Sequence, residues 1–457
     1  MAGPALAYAY RYPQASTFEA TPAGAHLRLA TWSARGSPHP HFFEGRLTRP
    51  GRAADLLRGL VEVVQSRFYL PPAMMARIMA QADPVVTGSG DLLRFEAFSA
   101  CCSTYGRVDF LPTAIDGTWH GRGTTNVDFN SPMRAALARI RESDQVHLAV
   151  GTDELSLRKG TEAIVERKVA LPVRWLKGFL EVQAYQARMV RKLEIAGFEA
   201  ARFVRSLPRG KATSNGWVVP SGRGLRLSQV ASSGGIRVGG VQRLHILDDL
   251  SPHARLMRIY SDEQSQASAW ELVLDEARFT LTLSPDVSRG FSGEGQVLTT
   301  LASRQWQETL PRVQASLKWD SRIEAGTLAA ACSLEPKLVT AALGALGTRG
   351  LVGFDLAEGA YFHRELPFDF EKVEALEPRL LDARKLIDSG GVRIERRDSA
   401  TGQVEAAVRG TEVEHLVRTG SDGDRCTCPW FAKHRNERGP CKHILAVQIT
   451  LENEGFS

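Results

Sequence analysis

Apolar positions change period several times along this chain, and the changes suggest how it is divided. Over residues 1–150, stretches such as His26-Leu-Arg-Leu-Ala-Thr-Trp32 and Leu92-Leu-Arg-Phe-Glu-Ala-Phe98 alternate and so predict strands, since residues two apart share a face of an extended chain. Arg52 to Arg67 and Pro72 to Gln81 place apolar residues at helical spacing, the second opened by prolines. A predicted helix over Ser131 to Arg141 leads to a strand over Val146 to Val150, giving a mixed α/β domain.

Residues 151–211 read as a helical segment, with Trp175, Phe179, Val182, Tyr185, Ile195 and Phe203 near the 3.6-residue period and a break expected at Gly197. Residues 212–295 read as β-rich: short alternating runs at Gly216 to Val219, Leu225 to Leu227, Arg255 to Tyr260, Trp270 to Leu274 and Phe279 to Leu283 are separated by Gly, Ser and Asn. Over 296–370, helices at Ile323 to Ala331 and Pro336 to Arg349 flank a turn at Cys332 to Glu335. Strands at Leu351 to Leu356 and Tyr361 to Leu366 follow, which is a winged-helix pattern. Its second helix offers only Lys337, Thr340, Thr348 and Arg349 to base edges, a poor reading set, so a protein-contact or packing role is an equal expectation. A helical linker (371–390) leads to the last segment (391–457), and the whole is an α+β multidomain chain.

Length and composition fit that division. The chain has 457 residues, 43% hydrophobic and 24% charged, so disordered and fibrous classes are excluded. No run approaches the roughly 18 apolar residues of a membrane span, and Met1 to Tyr10 lacks a basic leader, so a cytoplasmic protein is expected.

Charge changes the picture more. No acidic residue lies between Glu199 and Asp248, whereas Arg202, Arg205, Arg209, Lys211, Arg223, Arg226, Arg237 and Arg243 do. Such a run suits a phosphate backbone or an acidic partner; the alternative is a solvated face whose acidic partners lie elsewhere in the fold.

Three of the six cysteines, Cys426, Cys428 and Cys441, crowd into one window near the end, which favours metal over a disulfide framework. With His443 they form C-x-C, twelve residues, C-x-H. Residues two apart on a strand point the same way, so Cys426 and Cys428 can share an ion. On a helix the same spacing turns about 200°, so Cys441 must precede a helix and His443 must lie in its first turn. Gly439-Pro440 supplies the turn and Ile444 to Ile449 the helix, while Val413 to Arg418 and Gly420 to Gly423 read as a hairpin feeding the first ligands. Four protein ligands leave no open position, so the expected ion is one structural zinc. His434 is a competing ligand candidate. Trp430 and Phe431 read as the module's small core, with Arg425, Lys433, Arg435, Arg438 and Lys442 around it as candidate contacts to nucleic acid or an acidic partner, or as balance for the negative charge of the site.

This pattern resembles the SWIM zinc finger. The chain is also similar to the bacterial SWIM proteins whose genes accompany a MoxR-type AAA+ ATPase and a von Willebrand factor A protein, through Phe95 to Cys102, Gly123 to Asp128, Arg289 to Gly295, Cys426 to Trp430 and Glu437 to His443. The resemblance implies a partner role in an ATPase-driven assembly. No G-x-x-x-x-G-K-[ST] loop is present, in keeping with an accessory role.

Three functions are therefore expected in order. The first is a zinc-stabilised adaptor contacting protein partners, nucleic acid or both, with protein partnership ahead because the candidate recognition helix is weak. The second is a nucleic-acid-binding regulator using the winged helix and the zinc module. The third is an enzyme built on Cys101-Cys102, Tyr105, Arg107, Asp109, His120 and Asp128, although nothing in the spacing brings these together, and adjacent cysteines on a strand face opposite ways.

Overall fold

A computed structural model describes residues 17–21, 24–30, 41–68, 84–126, 131–151, 154–158, 171, 173–210, 215–303, 306–366, 377–398 and 400–454. The helix expected at Pro72 to Gln81, the basic residue Lys211 and the candidate Asp128 lie outside them. The helices are α1 (Pro50–Gln65), α2 (Ser131–Leu137), α3 (Val173–Gln186), α4 (Gly197–Ser206), α5 (Leu298–Ala302), α6 (Leu310–Ala315), α7 (Ala325–Cys332), α8 (Pro336–Thr348), α9 (Pro378–Asp388), α10 (Pro429–His434) and α11 (Lys442–Asn453). Among the described residues, no single helix is long and apolar enough to cross a membrane.

The centre is an antiparallel eight-stranded sheet. Its order is Val190–Ala196, Leu256–Ser261, Ser268–Val273, Ala277–Leu283, Thr104–Phe110, Leu93–Phe98, Val85–Gly88 and Gly123–Asn126. The sheet thus joins strands that the division into segments 1–150, 151–211 and 212–295 keeps apart, through the pairing of Thr104–Phe110 with Ala277–Leu283. A second sheet, built from strands between Thr17 and Arg158, and a three-stranded sheet at Gly216–Ser221, Gly224–Ser228 and Ile236–Val238 flank it.

The stretch before Gly197 is a strand, Val190–Ala196, not helix, because Leu193 and Ile195 alternate with exposed charge and pair with Leu256–Ser261. Gly197, the first residue of helix α4, has no room for a side chain: a Cβ there would lie 1.7 Å from the Ala254 carbonyl oxygen.

The two faces of the central sheet are covered in different ways. Val108, Phe110, Leu93, Phe95 and Ala97 belong to the apolar core, and Gly106 lets α1 approach so closely that a Cβ would come within 2.9 Å of Val63. The opposite face carries Arg94, Glu96, Arg107, Asp109 and Arg278, an alternation that would ordinarily meet water. Here it is buried. The hairpin Val352–Asp355 and Ala360–His363 lies over it, and Asp355, wholly buried, reaches Arg107 at 3.0 Å, Arg278 at 3.1 Å and Arg94 at 2.5 Å. Asp109 holds Arg94 at 2.7 Å and Arg107 at 3.2 Å from below, Arg364 pairs with Glu96, and the Arg94 guanidinium sits 3.7 Å over the Phe362 ring.

Burial alone would raise the Asp355 carboxyl. Arg107, Arg94 and Arg278 outweigh it and hold the group well below the usual carboxylate range. Buried ions are tolerable only when they are paired, so removing one partner costs more than the pair contributes. Asp355→Ala should therefore lower unfolding free energy by about 3–5 kcal/mol, read as a shift of the urea midpoint. A loss under ~1 kcal/mol would mean that water replaces the carboxylate without cost.

Candidate metal centre

The C-terminal segment builds its site from a sheet edge and two helix starts. A four-stranded sheet runs Val392–Asp398, Gln403–Arg409, Glu414–Thr419 and Arg425–Cys426, with α11 packed on it. The first two of these strands and α10 add to the hairpin and single helix expected from the sequence. Strand Arg425–Cys426 is only two residues long, so Cys428 does not continue it but caps α10, where its Sγ accepts from Phe431 N at 3.4 Å. Cys441 caps α11 in the same way, accepting from Ile444 N at 3.5 Å, and His443 lies in the first turn as the spacing requires. Helix starts present unpaired N–H groups and a positive dipole end, which favour thiolates.

The ligand atoms of Cys426, Cys428, Cys441 and His443 all lie within 4.8 Å of one another, and all four residues are buried. Cys426 Sγ stands 3.8 Å from His443 Nδ1. Tetrahedral bonds of about 2.3 Å to sulfur and 2.0 Å to nitrogen give edges of about 3.5–3.8 Å, so the cage has the right size. Hydrogen bonding from Cys426, against the effect of burial, holds the Cys441 thiol below the usual thiol range, while Cys426 and Cys428 are raised. His434 stays outside the group, its ring 4.4 Å from that of Trp430. Trp430 and Phe431 pack against the cluster, as expected of a small core.

The cage is tied to the rest of the molecule through the loop Arg289 to Gly295. Glu294, with a fully buried carboxylate, accepts from Arg289 at 2.7 and 3.1 Å and from Tyr185 of α3 at 2.8 Å, and pairs with Arg438 at 3.3 Å. Arg438 also donates to Gly293 O at 2.7 Å, and Arg379 of α9 bridges the carbonyls of Glu294, Arg438 and Pro440 at 2.6, 2.8 and 3.1 Å. Gly439, at φ +73°, passes so near Gly295 O that a Cβ would be 2.0 Å away. Only glycine fits there. The same loop touches the turn at Cys101-Cys102, where Phe291 N donates to Cys102 O at 2.8 Å. Three of the stretches that carried the family resemblance thus meet in one place.

Among the described residues considered for catalysis, Arg107 and Asp109 meet at 3.2 Å, whereas Cys101, Cys102 and His120 have other surroundings. Burial pushes the Cys102 thiol up to about 12, so it is no thiolate at neutral pH. Cys101 is half-buried between the Ser99 and Ser103 hydroxyls. Tyr105 donates to Glu96 and Arg107 belongs to the Asp109 and Asp355 cluster, whereas His120 is exposed. Of the basic residues expected to face a partner near the cage, Arg438 is turned inward and Lys442 lies 4.0 Å from Asp382, while Arg425, Lys433 and Arg435 are exposed. What the sequence missed is Glu294 and Arg379, which meet across 85 residues, with Tyr185 lying 109 residues from Glu294 and Arg438 lying 59 from Arg379.

Residues 416–451 match the family model of the SWIM zinc finger. No curated protein matches the chain. Among solved structures, the chain is similar to proliferating cellular nuclear antigen from Entamoeba histolytica, 8% identical over 54% of this chain and 99% of that one, with a TM-score of 0.33. It is also similar to the PCNA2–PCNA3 complex from Sulfolobus tokodaii, 10% identical over 53% of this chain and 98% of that one, with a TM-score of 0.35.

The family match and the cage together make this a structural Zn2+ site, held by Cys426, Cys428, Cys441 and His443. Its closed ligand set leaves no position for a reacting water. One zinc equivalent per chain is expected by metal analysis, and Cys428→Ala or His443→Ala should lose it and expose the last 40 or so residues to proteolysis. Near-zero zinc in unchelated protein would overturn the assignment.

Beside the loop, burial and then Glu377 and Glu294 push the Glu181 carboxyl up to about 8, although it accepts from Gln296 N at 2.9 Å. From about pH 4.3 to 8 the folded chain holds a proton that the unfolded chain has lost, so stability falls as pH rises across that window. Glu181→Gln, which keeps the acceptor, should flatten that decline and raise Tm at pH 8; an unchanged pH profile would refute this.

Proposed function

We propose that this protein is a zinc-stabilised adaptor that holds a segment of a protein partner, and that it serves binding rather than catalysis. The observation that carries this reading is a groove of about 460 Å³ against the zinc ligands, bordered by Val413, His415, Trp430, Lys442, His443 and Arg379. Two ring nitrogens of its lining residues, His443 Nε2 and Trp430 Nε1, are buried with no hydrogen-bond partner among the described residues. A zinc-bound histidine ordinarily donates its second N–H to a carbonyl, carboxylate or water, and a buried indole N–H likewise has an acceptor. Val413, 63% exposed, adds an apolar rim. An extended peptide fits such a groove with an apolar side chain against the rim, and its backbone carbonyls become acceptors for the two N–H groups once the rings turn toward it.

The helix-turn-helix and hairpin of residues 321–366 is, in this reading, a winged helix used for packing. Its hairpin is held by the Arg94, Arg107 and Arg278 cluster, Thr348 is buried, and the Arg349 guanidinium lies 5.0 Å over the Trp306 ring. Only Lys337 and Thr340 of its candidate reading set are exposed. The family resemblance supports an assembly containing a MoxR-type AAA+ ATPase and a von Willebrand factor A protein in the cytoplasm.

Affinity purification of the full chain, with nuclease treatment and mass-spectrometric identification, tests this reading. A nuclease-resistant protein partner is expected, with recovery reduced at least about tenfold by Val413→Arg, a change of about 1.4 kcal/mol, while zinc content is unchanged. Recovery that disappears with nuclease, or that Val413→Arg leaves intact, would overturn it.

A further inference from the structure

The acid-free run between Glu199 and Asp248 does not act as one patch, because the fold gives its arginines different surroundings. Arg243 is wholly buried and donates to the carbonyls of Ser103, Gly239 and Ser284. Arg237 donates to Pro285 O at 2.7 Å, and Arg209 pairs with Asp248 at 3.2 Å. Arg243 and Arg237 hold the chain together, whereas Arg209 keeps 76% of its side chain open and its ion pair contributes little. Arg205, Arg223 and Arg226 are instead exposed, with no carboxylate partner among the described residues. Arg202 pairs with Glu199 at 2.5 Å yet keeps 64% of its side chain open, whereas Glu199 is largely covered.

The open arginines are neighbours. Phe198, Arg202 and Arg205 stand at i, i+4 and i+7 on α4 and so share one face of the helix. The turn carrying Arg223 rests on that helix: a Cβ at Gly224 would lie 2.7 Å from Glu199 Oε2 and 3.2 Å from Arg202 Nη2. Arg226 follows in the same strand, Gly224–Ser228. Phe198 is 75% exposed, the most open large apolar side chain among the described residues, and nothing in the core requires it.

We infer that this face binds single-stranded nucleic acid, with Phe198 stacking on a base and Arg202, Arg205 and Arg223 meeting phosphates. Guanidinium groups match phosphate oxygens two at a time, and an exposed ring beside them gives an unpaired base a flat surface. An acidic protein surface would use the charge but leave the ring without a role. A duplex would also leave it idle, since its bases are already stacked. The inference goes beyond the adaptor reading and uses a different surface, so either can fail alone.

The test is fluorescence anisotropy of the full zinc-loaded chain with a labelled twenty-nucleotide oligothymidine between 50 and 200 mM NaCl, with a duplex of equal length and polyglutamate as competitors. Three phosphate contacts on a single strand predict a slope of log K against log salt of about −2. Arg205→Glu with Arg223→Glu should weaken binding at least about tenfold and make the slope shallower by about 1.4. Phe198→Ala should weaken it about fivefold or more and leave the slope unchanged. Arg425→Glu with Lys433→Glu on the zinc module should change affinity less than about twofold, and circular dichroism should show every variant folded.

No binding at 50 mM salt would overturn the inference. So would equal loss from the zinc-module variant, which would move the site there. Displacement by polyglutamate as effective as by oligothymidine, with Phe198→Ala silent, would assign the face to an acidic protein. Preference for the duplex would equally refute it.

Discussion

The arrangement of this molecule depends on one carboxylate. Glu294 lies on a short loop between the central sheet and the helical segment, and its partners are Arg289 on the same loop, Tyr185 on α3 and Arg438 from the zinc module. An isolated buried carboxylate is costly, so the surrounding donors have to arrive together. Two of them belong to elements distant in sequence, and one belongs to the segment that zinc folds. The ion is many bonds away from Glu294, yet by fixing Cys441 it fixes the chain from Arg438 to Pro440, which Arg379 and Gly295 then hold. Metal binding, loop shape and helix docking are parts of one arrangement, so the zinc contributes to the seating of its module as well as to the module's own fold.

A second polar cluster does for the hairpin what Glu294 does for the zinc module. Around Asp355 the positive charge comes from Arg94, Arg107 and Arg278, and the negative charge from Asp355 and Asp109. Apolar packing alone would let the hairpin slide over the sheet, because dispersion contacts are not directional. Guanidinium forks meeting carboxylates have defined angles as well as energies, and so they specify one placement.

Most helices and about half of the strands were legible from periodicity, because their apolar residues face a core that lies close by, whereas His41–Leu47, Val85–Gly88 and Thr104–Phe110 were not picked out by it. Strand Val190–Ala196 was not, since its apolar spacing next to α3 imitates a helix and only pairing with Leu256–Ser261 decides. The metal ligands were legible because all four lie in one short window whose spacing has a geometric meaning. The separations that matter most, from Arg94 to Asp355 and from Tyr185 to Glu294, have no local signature. A buried arginine on an alternating strand has the same sequence pattern as a solvated one. The basic run shows the same limit: charge can be counted in a sequence, but which arginines face outward depends on Ser103, Ser284 and Pro285 arriving from elsewhere.

The hairpin's position also has a consequence in time. Arg94 meets Asp355 across 261 residues and Glu96 meets Arg364 across 268. A ribosome adding about 5–20 residues per second takes roughly 13–50 s to cover that distance. Throughout that interval the strands carrying Arg94 and Arg107 must wait with their charged face uncovered. Charged side chains on an open sheet discourage pairing with other chains. The ions that later place the hairpin are thus side chains of the kind that disfavours such pairing before the cover has been synthesised.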